Sequence, residues 1–160
     1  MIRRLKVVLA LVVGLWGVLG GLGNLGGYEE GSRAVEAVLS METLGGDATG
    51  SPLATRHPVA IALGFAWIWV LKLVGGSLCL VGAARMWRAR DSDAGRFAHA
   101  KRWAILGCGV LFVMLLFGFS LVAVGPYGLY RSELVSAVEL AWAFAGQVGI
   151  VMLFLNQRDD

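Results

Sequence analysis

The chain has 160 residues; 58% are hydrophobic and only 16% are charged. Its mean hydropathy is +0.72. A soluble domain carries about 25% charged residues, so a water-soluble globule of this composition would leave a large apolar surface in water. High apolar content with a formal charge of only +3 excludes a disordered chain. The pI of about 9.2 does not indicate a nucleic-acid partner, because the basic residues flank apolar runs and form no stripe on a folded face.

Four segments are long enough to cross ~30 Å of hydrocarbon as helices. They run over about 7–25, 59–84, 103–124 and 134–155. Backbone groups in lipid must be satisfied within the segment, so helices are expected; no period-two pattern of a barrel is present. The predicted fold is all-α: a single integral membrane domain over 1–160, a four-helix transmembrane bundle with a short outer-loop helix.

The first span opens on Arg3, Arg4 and Lys6. A basic start before an apolar stretch also fits a secretory signal, but Gly20–Gly27 offers no clear Ala-x-Ala cleavage site, so a retained span is expected. Gly14, Gly17 and Gly21 fall on one helical face, and Asn24 roughly continues it. Small residues let membrane helices approach closely, so this is read as a packing face.

The loop from Gly26 to Pro58 follows. Ser32–Met41 predicts a short helix with Ser32 as N-cap and an apolar face of Ala34, Val35, Val38, Leu39 and Met41. Glu42–His57, rich in Gly, Thr, Asp and Pro, predicts an irregular crossing. The helix is expected across the outer mouth of the bundle, as a lid over helix ends or as a docking surface presenting Tyr28, Val38, Leu39, Ser40 and Met41.

On the second span Lys72, Gly75, Gly76, Cys79 and Ala83 share a face. The link to the third span holds Arg85, Arg88, Arg90, Arg96, Lys101 and Arg102 against Asp91 and Asp93, and could hold anionic lipid head groups. Trp87 and Trp103 flank it as interfacial anchors. Cys79 and Cys108 lie inside apolar runs with no CxxC motif and are read as small membrane-core residues. On the fourth span Glu139, Ala143, Gly146 and Gln147 share a face. Each intramembrane polar residue thus sits on a small-residue stripe, which aims it into the bundle.

Ten Lys and Arg residues fall at the N-terminus, in the middle link and at Arg158, against Arg33, Arg56 and Arg131 on the other side. The positive-inside rule predicts both termini and the middle link in the cytoplasm.

A charge at bilayer depth costs at least ~2.5 kcal/mol on insertion scales. At ~1.5 Å of rise per residue, Lys72 lies ~18 Å above the inner end of its expected span and Glu139 ~24 Å above that of its own. A Lys72–Glu139 ion pair inside the bundle is therefore expected, as a register lock or as a proton- or ion-handling pair. Gln147 is expected to donate an interhelical hydrogen bond. His57 and His99 sit a membrane apart, which excludes a bis-histidine haem within one chain. No catalytic triad, phosphate loop or metal-spaced cluster is present, so no enzyme activity, cofactor or metal is expected.

The chain resembles the bacterial "predicted small integral membrane proteins", a four-span family of unknown function. The resemblance covers nearly the whole chain. It is carried by Asn24 and Tyr28, by Val38-Leu39-Ser40-Met41-Glu42-Thr43, and by Cys79, Gly82, Ala83 and Arg85 at the end of the second span. The family tends to have His where this chain has Ala37 and Glu where it has Lys72. Both departures weaken any chemistry at those positions. The resemblance implies topology and no activity; the location expected for the chain is a bacterial inner membrane.

The expected function is an accessory or structural subunit packed against other membrane protein subunits within the lipid bilayer. From a different class comes a small transporter or proton-coupled carrier using Lys72, Glu139 and Gln147. A third reading is a lipid- or quinone-binding redox accessory with a groove of Trp and Phe.

Overall fold

A computed structural model describes residues 1–44 and 49–159. Positions 45–48 of the expected irregular crossing, and residue 160, lie outside the described residues. The chain folds as an all-α bundle. Helix α1 spans Ile2–Gly26, α2 Tyr28–Leu39, α3 Pro58–Ala89, α4 Ala94–Leu115 and α5 Val135–Asn156. Beyond Leu115, α4 continues as a π-helix over Leu116–Val124. Among the described residues four helices are long and apolar enough to cross a membrane: α1, α3, α5, and α4 with its π-helical extension.

The ends of these helices follow from local chemistry. Pro58 occupies the first turn of α3, where its missing N–H costs nothing, and His57 Nδ1 accepts the Val59 N–H at 3.3 Å. The third span begins at Ala94 and not at Trp103, because Asp93 caps it: its Oδ1 accepts the Arg96 N–H at 2.9 Å. At the α-to-π junction Trp67 donates to the Met114 carbonyl at 3.4 Å. Helix α2 starts at Tyr28, so Ser32 lies inside it and is not its cap. Glu29 and Glu30 occupy its first turn, where negative charge suits the helix dipole.

Helix α3 is the axis of the packing, because its adjacent glycines serve different neighbours. A Cβ on Gly76 would lie 2.6 Å from the Val18 N of α1, and one on Gly17 would lie 2.8 Å from the Gly76 Cα. Gly14 and Gly21 seat the α3 side chains Leu80 and Leu73, whose carbons would lie 2.7 Å from their Cβ positions. Gly75 turns instead to α4, where Leu111 would stand 2.7 Å from its Cβ and Gly107 presents its backbone. The bundle is therefore a row, with α1 on α3, α3 on α4 and α4 on α5. Helices α1 and α5 meet sparsely; there the Trp16 and Phe144 rings touch at a tilt, with centroids 4.7 Å apart. One core of Val7, Ala10, Cys79, Met86, Phe97, Cys108, Leu111 and Leu155 still joins all four long helices.

Candidate functional site: polar groups at two depths

Where α1 begins and α5 ends, three charges are sealed together. Lys6 is fully buried, and the Lys101 and Asp159 side chains are nearly so. Lys6 Nζ meets Asp159 Oδ1 at 2.7 Å, and Lys101 Nζ pairs with Asp159 Oδ2. Both ammonium groups also donate to the Gln157 carbonyl, at 2.8 and 2.7 Å. Arg3 ties this tail to the middle link, donating to the carbonyls of Arg90 at 3.2 Å and Asp159 at 3.4 Å. Burial pushes the Asp159 carboxyl up, but the hydrogen bonds and charges of Lys101 and Lys6 outweigh it. They hold the carboxyl below the usual carboxylate range. Sequence reasoning missed this cluster because it counted Lys6 and Lys101 as topology signals and gave Asp159 no role. The available signal was an acid just past the last span, facing lysines buried in the opening turns of two others.

The intramembrane polar residues behave differently. The expected Lys72–Glu139 ion pair does not form: among the described residues no such contact lies within 4.0 Å. Lys72 leans toward α1, its ammonium 5.6 Å from the centre of the Trp16 ring and against Gly20. Glu139 is exposed on α5. The reason is rotational. Helix α5 packs through Val138, Ala141, Ala145, Val148 and Leu155, which turns Glu139, Ala143, Gly146 and Gln147 away from the bundle. Gly146 packs against nothing: no atom lies within 4 Å of where its Cβ would be. Gln147 makes no interhelical bond either. It lines a cleft between α1 and α5 with Leu9, Val12, Trp16, Phe144 and Val151. No side-chain hydrogen bond among the described residues reaches Lys72, Glu139 or Gln147.

At the opposite end, α2 lies along α3. Tyr28 is exposed but packs edge-on against Phe65, with centroids 5.2 Å apart. The remaining docking candidates do not present an outward surface. Val38 packs on the cluster of Ala123, Leu129 and Val138. Leu39 is half-buried and its carbonyl accepts the Thr55 N–H at 2.8 Å. Ser40 and Met41 are buried. Met41 has φ +58°, a left-handed conformation that glycine favours at helix ends, and its buried side chain holds the chain there. This segment closes over the helix ends.

Cys79 and Cys108 are free, fully buried, and face each other with sulfurs 3.8 Å apart. The antiparallel α3–α4 hairpin brings them together where Gly107 packs on the Cys79 backbone. Among the described residues no group of three or more His, Cys, Asp or Glu side chains could hold a metal ion.

No curated protein and no solved structure matches the chain. A family profile described as "Predicted small integral membrane protein (DUF2165)" matches residues 2–158. With its four long apolar helices, the chain belongs to this family of small integral membrane proteins.

Proposed function

We propose that the chain is a packing subunit of a larger membrane assembly. One observation carries this reading: among the described residues Lys72, Glu139 and Gln147 have no hydrogen-bond or ion-pair partner in their own chain, and the latter two share an outward stripe with Ala143 and Gly146. Polar side chains in hydrocarbon are costly unless another group satisfies them, and small residues beside them admit a second helix at close range. A neighbouring subunit supplies both needs. The cleft beside the stripe is lined by apolar side chains with Gln147 alone adding a polar one, which favours packing over a carrier role. The asymmetry of Lys and Arg supports a bacterial inner membrane orientation with both termini cytoplasmic. Arg3, Arg4, Arg90 and Arg158, which surround one open depression, suit anionic head groups on that side.

The test is native mass spectrometry of the full chain released from lipid nanodiscs. The expected result is an assembly with protein partners that Gly146→Leu disperses while leaving the protomer folded. A single chain carrying lipid alone would overturn the reading.

A further inference from the structure

We infer that one anionic phospholipid is held between the start of α1 and the end of α5, with its phosphate in the basic depression and an acyl chain in the α1–α5 cleft. This rests on the head-group reading above and is independent of the packing-subunit reading.

Charge is the first argument. The depression is lined by Arg3, Arg4, Arg90 and Arg158 against Asp91 and Asp159. Both acids are already engaged: Asp91 pairs with Arg90 at 3.3 Å, and Asp159 holds Lys6 and Lys101. Arg3 fastens the walls to one another through the carbonyls of Arg90, Ser92 and Asp159. Arg4 and Arg158 are exposed and make no hydrogen bond or ion pair among the described residues. Two unspent guanidinium groups on a fastened frame suit a phosphate. The frame depends on the tail. Asp159 is a positioning residue, because its buried bonds to Lys6 and Lys101 carry Arg158 back to the start of α1.

Apolar continuity is the second argument. Met1 and Ile2 also line the depression, and both are exposed. From Ile2 the α1 stripe continues at helical spacing through Leu5, Leu9, Val12 and Trp16. The last three of these wall the cleft opposite Phe144 and Val151. The basic depression and the apolar cleft therefore lie along one line of α1. Val12 stands ten residues beyond Ile2, a rise of ~15 Å and half of a ~30 Å hydrocarbon core. That is the reach of the acyl chains of one leaflet. A free phosphate ion would use the arginines and leave the cleft without a role; a phospholipid uses both.

The test places the full chain in nanodiscs of equal phosphatidylglycerol and phosphatidylcholine and counts retained lipid by native mass spectrometry. The expected result is one phosphatidylglycerol per chain, retained about tenfold over phosphatidylcholine. Arg4→Gln combined with Arg158→Gln should lower that retention about tenfold. Val12→Trp, at an exposed position in the cleft, should lower it several-fold without touching a charge. Asp159→Asn, verified as helical by circular dichroism, should lower it as well, whereas charge alone predicts a gain on removing an acid. A gain would overturn the inference. Release of the lipid by millimolar inorganic phosphate would assign the arginines to a free ion and would also overturn it. Several phosphatidylglycerols, indifferent to all these substitutions, would overturn the single site and leave the head-group reading standing. Equal retention of the two lipids would overturn both. Protein partners in the same spectra score the packing-subunit reading separately.

Discussion

The two polar regions of this molecule solve opposite problems. At the basic end, Lys6, Lys101 and Asp159 are buried yet fully partnered. Within the long helices, Lys72 and Glu139 are opposite in charge but form no ion pair among the described residues. The difference is freedom of the backbone. The tail after Asn156 is extended and can fold back until its carboxylate meets both ammonium groups. Lys72 and Glu139 ride on rigid helices whose azimuths are set by packing elsewhere. A charge on a flexible segment finds its partner within the chain; one on a packed helix takes whichever direction the core leaves it.

This contrast can be broken from either side. The largest effect is expected from Asp159→Asn, which leaves two buried ammonium groups without their counter-charge. Removing one member of a buried ion pair costs about 3–5 kcal/mol, and the loss can be followed in detergent by thiol-reactive dye reaching Cys79 and Cys108 on heating. Next comes Gly76→Leu, which drives a side chain into α1 at a closest approach of 2.6 Å. Overpacking of this kind costs about 1–3 kcal/mol or more, whereas Gly146→Leu should leave protomer stability unchanged in the same assay.

Acid sharpens the comparison. The folded-state carboxyl of Asp159 is held below its unfolded value, so its contribution is complete above the ordinary carboxylate range. It should fade as pH falls below that range, and Asp159→Asn should flatten this acid limb of the melting-temperature profile. The smallest effect belongs to Glu139→Gln. In the isolated protomer it should stay within about 0.5 kcal/mol, as for a side chain without intrachain partners. A loss as large as that of Asp159→Asn would show that the two regions are not different in kind.

Much of this contrast was invisible to sequence reasoning, for identifiable reasons. The stripes on α1 and α5 look alike as patterns, each a run of small residues with a polar member. Gly14 and Gly17 lie against α3 while Gly146 lies against nothing, because α5 has a second small face, Ala141 and Ala145, that packs more closely with its neighbours. Periodicity reveals that a face exists; it does not rank two faces of one helix. The Cys79–Cys108 approach depends on the register of α3 against α4, since the two lie at unequal distances from their helix ends. Burial of Ser40 and Met41 was not legible either, since it depends on how the segment after α2 returns to α3 through the Leu39–Thr55 hydrogen bond.

The order of the elements, their helical nature and their passage through a bilayer were decided by the sequence alone. The demand that every backbone N–H and C=O in hydrocarbon be satisfied is local, and a run of apolar residues answers it without reference to the rest of the chain. Which way each helix turns its polar residues was decided only in the folded molecule. Rotation about a helix axis leaves local hydrogen bonds untouched and is set by competition among faces for the same neighbours. Hence Asp159 closes a circuit of charges inside the chain, while Glu139 looks outward.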